Sequence, residues 1–417
     1  MKEKTMKSIR SLLVVLACLA STLSIAKAQD KPIAIVAKTI LDGTGKIIHN
    51  QPIIVEGSKI SRIGGPIPAG AIVYNLGTLT VTPGLIDTHS HILYHFENGR
   101  YAGTGGRGSD PVPTILYGVE NSYLTLEAGF TTIQSPGSPM DKPLRDAIAR
   151  GIIPGPRLLT SLQPLTETSG DPDKLRELVR ERKAQGADFI KIFASKSIRE
   201  GGDQTMTDAQ LQAACGEAKA LGLRTLVHAH AASAAKAASM AGCTSVEHGA
   251  YVTDDVFKIM AANGTYYDPN IGVVLQNYIE NKPKYMGIGN YNDEGFAFME
   301  KGEAIVLETF KRSLKIPGLK IVYGTDATAG AHGHNGNEFI VRVNDGKQDP
   351  MAALISATSL SATSLGLGDQ IGTIAPGYQA DIIAMDGDPL KDATSVSRVV
   401  FVMKGGTVFK DDIFTKK

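Results

Sequence analysis

The sequence predicts an α/β fold: a (β/α)8 TIM barrel with a small discontinuous β-sandwich built from both chain ends. Three observations predict it. Residues 81–369 alternate short apolar runs with helical stretches. The segments on either side hold only short strands and tight turns. Histidine, lysine and aspartate recur where the central runs finish, which is where such a barrel builds its active site.

Eight apolar runs qualify as central strands: Leu85–His91, Phe130–Ser135, Arg157–Ser161, Phe189–Ala194, Thr225–His230, Thr244–Gly249, Thr265–Asn270 and Ile321–Asp326. Gly129, Gly186, Gly222, Gly242 and Gly264 each close a helical stretch just before such a run, as the left-handed turn at a helix end requires. Eight strand–helix units in roughly 290 residues match the size of a (β/α)8 barrel. A doubly wound sheet is the alternative, but no G-x-G-x-x-G follows the first run.

The two ends share a different texture. Ile33–Ile40, Pro52–Glu56 and Lys59–Ile63 read as strands on one side, and Ala380–Met385, Val399–Met403 and Thr407–Phe409 on the other. The division expected is therefore 29–80 and 370–417 as the two parts of one sandwich, with the barrel at 81–369.

Residues 1–28 read as a secretory signal. Lys2, Lys4, Lys7 and Arg10 precede an apolar run of leucine, valine and alanine, and Ala26-Lys27-Ala28 offers small residues where a signal peptidase cuts. The run is too short for a stable membrane span. The expected location is periplasmic or secreted, with no stable membrane insertion after cleavage; a lipoprotein anchored through Cys18 is the rival. Without that segment only Cys215 and Cys243 remain. Neither sits in a C-x-x-C pair, so both are expected as buried free thiols. Of the 417 residues, 42% are hydrophobic and 20% charged, which excludes a disordered chain, and a net charge of +1 gives no basis for a nucleic-acid partner.

The chemistry resides at the strand ends. His89-Ser-His91 places two imidazoles two residues apart, on one face of a strand, where both reach one metal ion. Lys191 interrupts Phe189-Ile-Lys-Ile-Phe193, and a lysine in so apolar a run needs a carboxylate partner or a chemical modification. His228-Ala-His230 ends the fifth run, His248 follows in the sixth, and Asp326 ends the eighth. Each residue alone has a structural explanation as a satisfied core group. Together they point to a metal centre in which Asp326 both binds a cation and moves a proton.

This set, with Pro83-Gly-Leu-Ile-Asp-Thr-His-Ser-His91, Gly324-Thr-Asp-Ala327 and Gly377-Tyr-Gln-Ala-Asp-Ile-Ile383, resembles the amidohydrolase superfamily. It is most similar to the imidazolonepropionase-like branch that includes prolidases (Xaa-Pro dipeptidases), Xaa-Arg carboxypeptidases and ochratoxinase-type amidases. The likeness runs over the whole chain beyond the signal. It implies two divalent metal ions, zinc by the family's habit: His89, His91 and Asp326 would hold the buried one, His228 and His248 the more exposed one. Lys191, carboxylated by CO2, would bridge them together with a hydroxide. His230 would then face substrate. Imidazolonepropionases resemble a one-metal design without that lysine, so Lys191 argues against their activity.

The activity implied is hydrolysis of a C–N amide bond in a small molecule such as an N-acyl amino acid or dipeptide. A lactonase or esterase on the same metal centre, or a non-catalytic scaffold, are the competing readings. Dipeptidases of this branch carry a Gly-Gly-His element after the third strand. Here Ser161–Gly170 has no histidine, which argues against peptide substrates. Arg107 in the glycine-rich loop after the first run, Arg199 after the fourth and Tyr251 after the sixth are candidate substrate contacts. The His332-Gly-His-Asn335 loop is expected to shape the pocket, and the tyrosine-rich stretch Tyr266–Tyr291 to cover the site or meet another subunit. Relatives imply a homo-oligomer.

Overall fold

The computed structural model describes residues 31–102 and 110–413, so the signal segment 1–28 and Arg107 lie outside the described residues. Both chain ends enter one eight-stranded sheet. The first end supplies β1 (Ile33–Leu41), β2 (Ile47–His49), β3 (Ile53–Glu56), β4 (Lys59–Ile63) and the long β5 (Ile72–Pro83). Strand β5 runs parallel to β1 on one side. On its other side it pairs antiparallel with a strand from the far end of the sequence, Thr80 opposite Met385 and Pro83 opposite Ile382. Alternation along these strands sends Ile35, Ile53, Val55, Val81, Ile382 and Phe401 into one core in which each is at most 1% exposed. That burial is what holds the two ends together, at roughly 1.5–3 kcal/mol for each such side chain.

From β5 the chain passes through Gly84 into the central region. Its strands are β6 (Leu85–Asp87), the hairpin β7 (Phe96–Glu97) and β8 (Arg100–Tyr101), then β9 (Phe130–Ser135), β10 (Arg157–Thr160), β11 (Phe189–Phe193), β12 (Arg224–Ala231), β13 (Ser245–Tyr251), β14 (Tyr266–Asp268) and β15 (Lys320–Ile321). The terminal sheet is completed by β16 (Ile382–Met385), β17 (Val399–Lys404) and β18 (Thr407–Asp411). Strands β6, β9 and β10 form one parallel sheet and β11 to β15 another. Isolated bridges and single backbone bonds span the two seams. At one, Leu165 N–H donates to Lys191 O and Phe193 N–H to Leu165 O; at the other, Thr88 N–H donates to Tyr323 O and Asp326 N–H to His89 O.

The helices between strands start and stop for local reasons. Asp171 accepts from Lys174 N–H ahead of Pro172–Gln185, and Gly186, at φ 91°, closes that helix in the left-handed region. Thr207 and Gln210 form a reciprocal capping box that starts Asp208–Ala220.

Each of the eight expected central runs overlaps an observed strand, but the first and last strands stop well short of the expected ends, at Asp87 and Ile321. The cause is Asp87. Its buried carboxylate accepts from His89 N–H, Thr325 N–H, Thr325 Oγ1–H and Asn335 Nδ2–H, so side-chain bonds replace the strand ladder where the two ends meet. Burial pushes that carboxyl up to about 7.

The cysteine expectation is corrected. Cys215 and Cys243 are joined in a disulfide, with Cα atoms 5.1 Å apart. Cys215 lies on Asp208–Ala220 and Cys243 in the turn before β13; the helix and the turn pack together, which a separation of 28 residues does not reveal.

Candidate active site

Six side chains named from the sequence converge at the carboxyl ends of the central strands. His91 Nε2 lies 3.1 Å and His89 Nε2 3.4 Å from the same Asp326 oxygen. Lys191 Nζ, on β11 and 1% exposed, lies 3.3 Å from His89 Nε2. The His248 ring is 5.2 Å from His89 and 4.6 Å from His228, centre to centre. Two residues reach these places through backbone that side chains seldom adopt: His248 at φ 68° and Asp326 at φ 50°, a strain of about 1–3 kcal/mol each that re-aims the side chain at a strand end.

Ligand atoms of His89, His91 and Asp326 lie within 4.8 Å of one another, and so do those of His228, His230 and His248. The geometry also holds a third such group, His89 with Glu247 and Asp268. It also brings His230, assigned to substrate from the sequence, close enough to His228 and His248 to face either a cation or a substrate. His230 N–H donates to Ser195 Oγ, fixing the end of its strand.

Electrostatics favour the neutral, ligand-competent form of these rings. Burial, and then neighbouring positive groups, holds His89, His228 and His248 well below the usual histidine range, and His230 down to about 3. Burial brings Lys191 down to about 8, so its amine is far easier to deprotonate than a surface lysine. Nitrogen and carboxylate donors in this mixture suit a borderline divalent cation such as zinc, and buried neutral imidazoles are the form that binds one.

A deeper layer went unrecognised in the sequence. His89 Nδ1 lies 3.1 Å from Glu247 Oε2, and Glu247 Oε1 accepts from Ser245 Oγ–H at 2.6 Å. Asp268 Oδ2 accepts from Thr88 Oγ1–H at 2.6 Å. Burial, then each other's charge, raises Glu247, and burial foremost raises Asp268, so this carboxylate pair retains a proton more readily than free acids. Glu247 neighbours His248 in the sequence, but nothing there ties it to His89.

The cluster opens into a cavity of about 280 Å³. Tyr94, Tyr101, Phe193, Tyr278 and Tyr291 form its aromatic wall, which places part of the tyrosine-rich stretch over the site. Arg199 also lines it. Tyr251 does not; it lies at the end of β13 beside Gly202, where an added Cβ would come within 3.0 Å of its ring. The His332 loop acts from behind, through Asn335 on Asp87.

An α/β scaffold that gathers imidazoles, a lysine and an aspartate at its strand ends defines a metal-binding hydrolase. The chain belongs to the amidohydrolase family, whose sequence profile matches residues 80–409. It is 25% identical to an ochratoxinase of Aspergillus niger over 93% of this chain and 89% of that protein. It is 23% identical to an imidazolonepropionase of Pseudomonas putida, covering 83% and 90%. Among solved structures, it superposes on a Xaa-Pro dipeptidase with bound methionine in the active site at a TM-score of 0.81 and 27% identity, covering 91% of this chain and all of that one. The Aspergillus niger ochratoxinase structure aligns at 0.79, with 22% identity and 91% and 96% coverage, which speaks for the fold alone. These relationships make the chain a hydrolase acting on carbon–nitrogen bonds.

Proposed function

We propose that the chain is an exported binuclear amidohydrolase that cleaves the amide bond of a small substrate such as an N-acyl amino acid or dipeptide. The observation that carries this is the meeting of His89, His91 and Asp326 within 3.4 Å, beside Lys191 and opposite His228 and His248. On this reading the two parallel sheets are arcs of one (β/α)8 barrel, and the terminal sheet folds as its sandwich. His89, His91 and Asp326 would hold one cation and His228 and His248 the other, with Lys191 between them as a carbamate, formed when its neutral amine adds to CO2 and loses a proton. Two bound zinc ions would supply Lewis acidity and make water nucleophilic near neutral pH.

The chain's own groups do the rest. Asp326, 13% exposed and at the cavity edge, takes the proton from the attacking water and delivers it to the leaving amine. His230 orients the scissile carbonyl from the cavity wall. Export is supported by the Cys215–Cys243 bond, which an oxidising compartment maintains. Among the described residues no helix is long and apolar enough to cross a membrane. A homo-oligomer is supported by the helix Pro111–Glu127, on which Val112 and Leu116 are each 64% exposed. No nucleic-acid partner is proposed.

Zinc-loaded protein assayed against N-acyl amino acids, dipeptides and lactones, with products identified by mass spectrometry, tests the activity. Amide cleavage is expected. Turnover of lactones alone would replace this reading with an esterase.

A further inference from the structure

We propose that Tyr94 is a positioning residue for His91, and that the hairpin β7–β8 braces Tyr94, so that the cavity wall and the ligand cluster act as one unit. The inference rests on reading His91 as a metal ligand. His89 is oriented from behind, by Glu247 at 3.1 Å. His91 is braced on its face instead. The Tyr94 ring lies against it with centres 4.4 Å apart and planes 21° from parallel. That contact restricts rotation of the imidazole and so sets where Nε2 points, here 3.1 Å from Asp326. A stacked ring does this without engaging either nitrogen.

The local backbone explains why the two rings meet. Tyr94 N–H donates to His91 O at 2.9 Å, closing a turn that brings residues three apart together. The helix Pro111–Glu127 holds that turn: Asn121 Nδ2–H donates to Ile92 O at 2.8 Å and to Tyr94 O at 3.1 Å. An added Cβ on Gly118 of the same helix would lie 2.4 Å from Leu93 Cδ2, so helix and turn pack closely.

Tyr94 also meets the hairpin. The Tyr101 ring packs edge-on against it at 5.6 Å, and the two phenols are hydrogen-bonded. Burial holds the Tyr101 phenol well above its usual range, so it stays neutral. The hairpin is itself pinned. Asn98 and Gly99, at φ 50° and 73°, make the left-handed turn that a two-residue connection needs. Phe96, opposite Tyr101 in the ladder, lies 5.2 Å from the Tyr285 ring, and Tyr101 lies 4.9 Å from it. Arg100 Nη2–H donates to Met286 O at 2.9 Å. These contacts tie the segment after the first central strand to the one after the seventh. Tyr94 and Tyr101 both line the cavity, so the surface a substrate meets is also the surface that holds His91.

The test compares wild type with Tyr94→Leu, Tyr94→Phe, Tyr101→Ala and His91→Ala, each as the full chain, with metal-free melting temperatures recorded to confirm folding. Zinc affinity is measured by competition with a chromophoric chelator. The visible spectrum of cobalt-substituted protein reports ligand geometry. Tyr94→Leu should weaken one of the two zinc ions by about 10–100-fold and change the cobalt spectrum. Tyr94→Phe, which keeps the stack, should stay within about 3-fold of wild type, with Tyr101→Ala between the two. Wild-type affinity and an unchanged cobalt spectrum in Tyr94→Leu would overturn the proposal while leaving the metal centre intact. Equal losses in Tyr94→Leu and Tyr94→Phe would also overturn it, because the effect would then lie in the phenol and not in the stack. Where Tyr94→Leu does not fold, Tyr101→Ala decides: a wild-type cobalt spectrum there removes the brace. Unchanged zinc binding in His91→Ala would show that His91 is no ligand, and would sink the underlying reading together with this one.

Discussion

His89 Nδ1 stands 3.1 Å from Glu247 Oε2, with both side chains 1% exposed, while the other nitrogen of the same ring lies 3.4 Å from Asp326. One imidazole is thus held from behind by a buried carboxylate and turned forward to the site. A carboxylate in that position fixes the tautomer and strengthens the ring as a ligand.

Glu247→Ala should therefore weaken zinc affinity by about 10–100-fold, measured by competition with a chromophoric chelator. Glu247→Gln, whose carbonyl oxygen still accepts from the ring, should weaken it less. Equal affinity in wild type and Glu247→Ala would show that the contact has no orienting role.

Asp326 has a double task on the proposed mechanism. Asp326→Asn should retain bound metal but lose at least about 100-fold in kcat, because the amide can neither accept nor return the proton. Metal content and turnover, measured on one preparation, separate the two effects; full activity would remove the proton-transfer role.

The Cys215–Cys243 bond closes a segment of 28 residues. Its loss in Cys215→Ser should cost roughly 3 kcal/mol, read from denaturant midpoints. Added reductant should bring wild type down to the variant. A wild type indifferent to reductant would mean that the bond is not formed in solution.

Burial, and secondarily the charge of His91, holds His332 down to about 3, against a smaller opposing pull from the backbone of Tyr94 and His91. The unfolded chain binds a proton near pH 6.5 and the folded one does not, so stability falls as pH drops from about 6.5 toward 3, by up to about 1.4 kcal/mol per pH unit. Melting temperatures of wild type and His332→Leu measured across that window should converge as the pH falls. Parallel curves would exclude His332 as the source.

Much of this was legible in the sequence because strand periodicity and strand-end chemistry coincide. His89, His91, His228, His248 and Asp326 could be named because imidazole and carboxylate side chains gather where apolar runs end, and Lys191 because it interrupts one. Asp87 and Glu247 were opaque for the opposite reason: each looks like an ordinary polar residue in a strand, and its partners, Thr325 and His89, lie 238 and 158 residues away. Arg199 could be named as a candidate contact, but its place 4.1 Å over the Tyr291 ring was opaque, since it depends on a loop and a helix start meeting over one cavity. The disulfide escaped because two apolar contexts resemble buried thiols whether or not the sulfurs touch. Tyr251, in contrast, had a plausible position in the sequence and no place in the cavity lining.

Metal analysis by plasma mass spectrometry, paired with chelation and reconstitution, bears most directly on the two-cation centre. Purified protein should carry about two equivalents of zinc or a similar divalent ion per chain. Amide hydrolysis should vanish on chelation and return only when metal and bicarbonate are restored together. Metal-free protein that keeps full activity, or a stoichiometry that stays near one under saturating metal, would contradict the account.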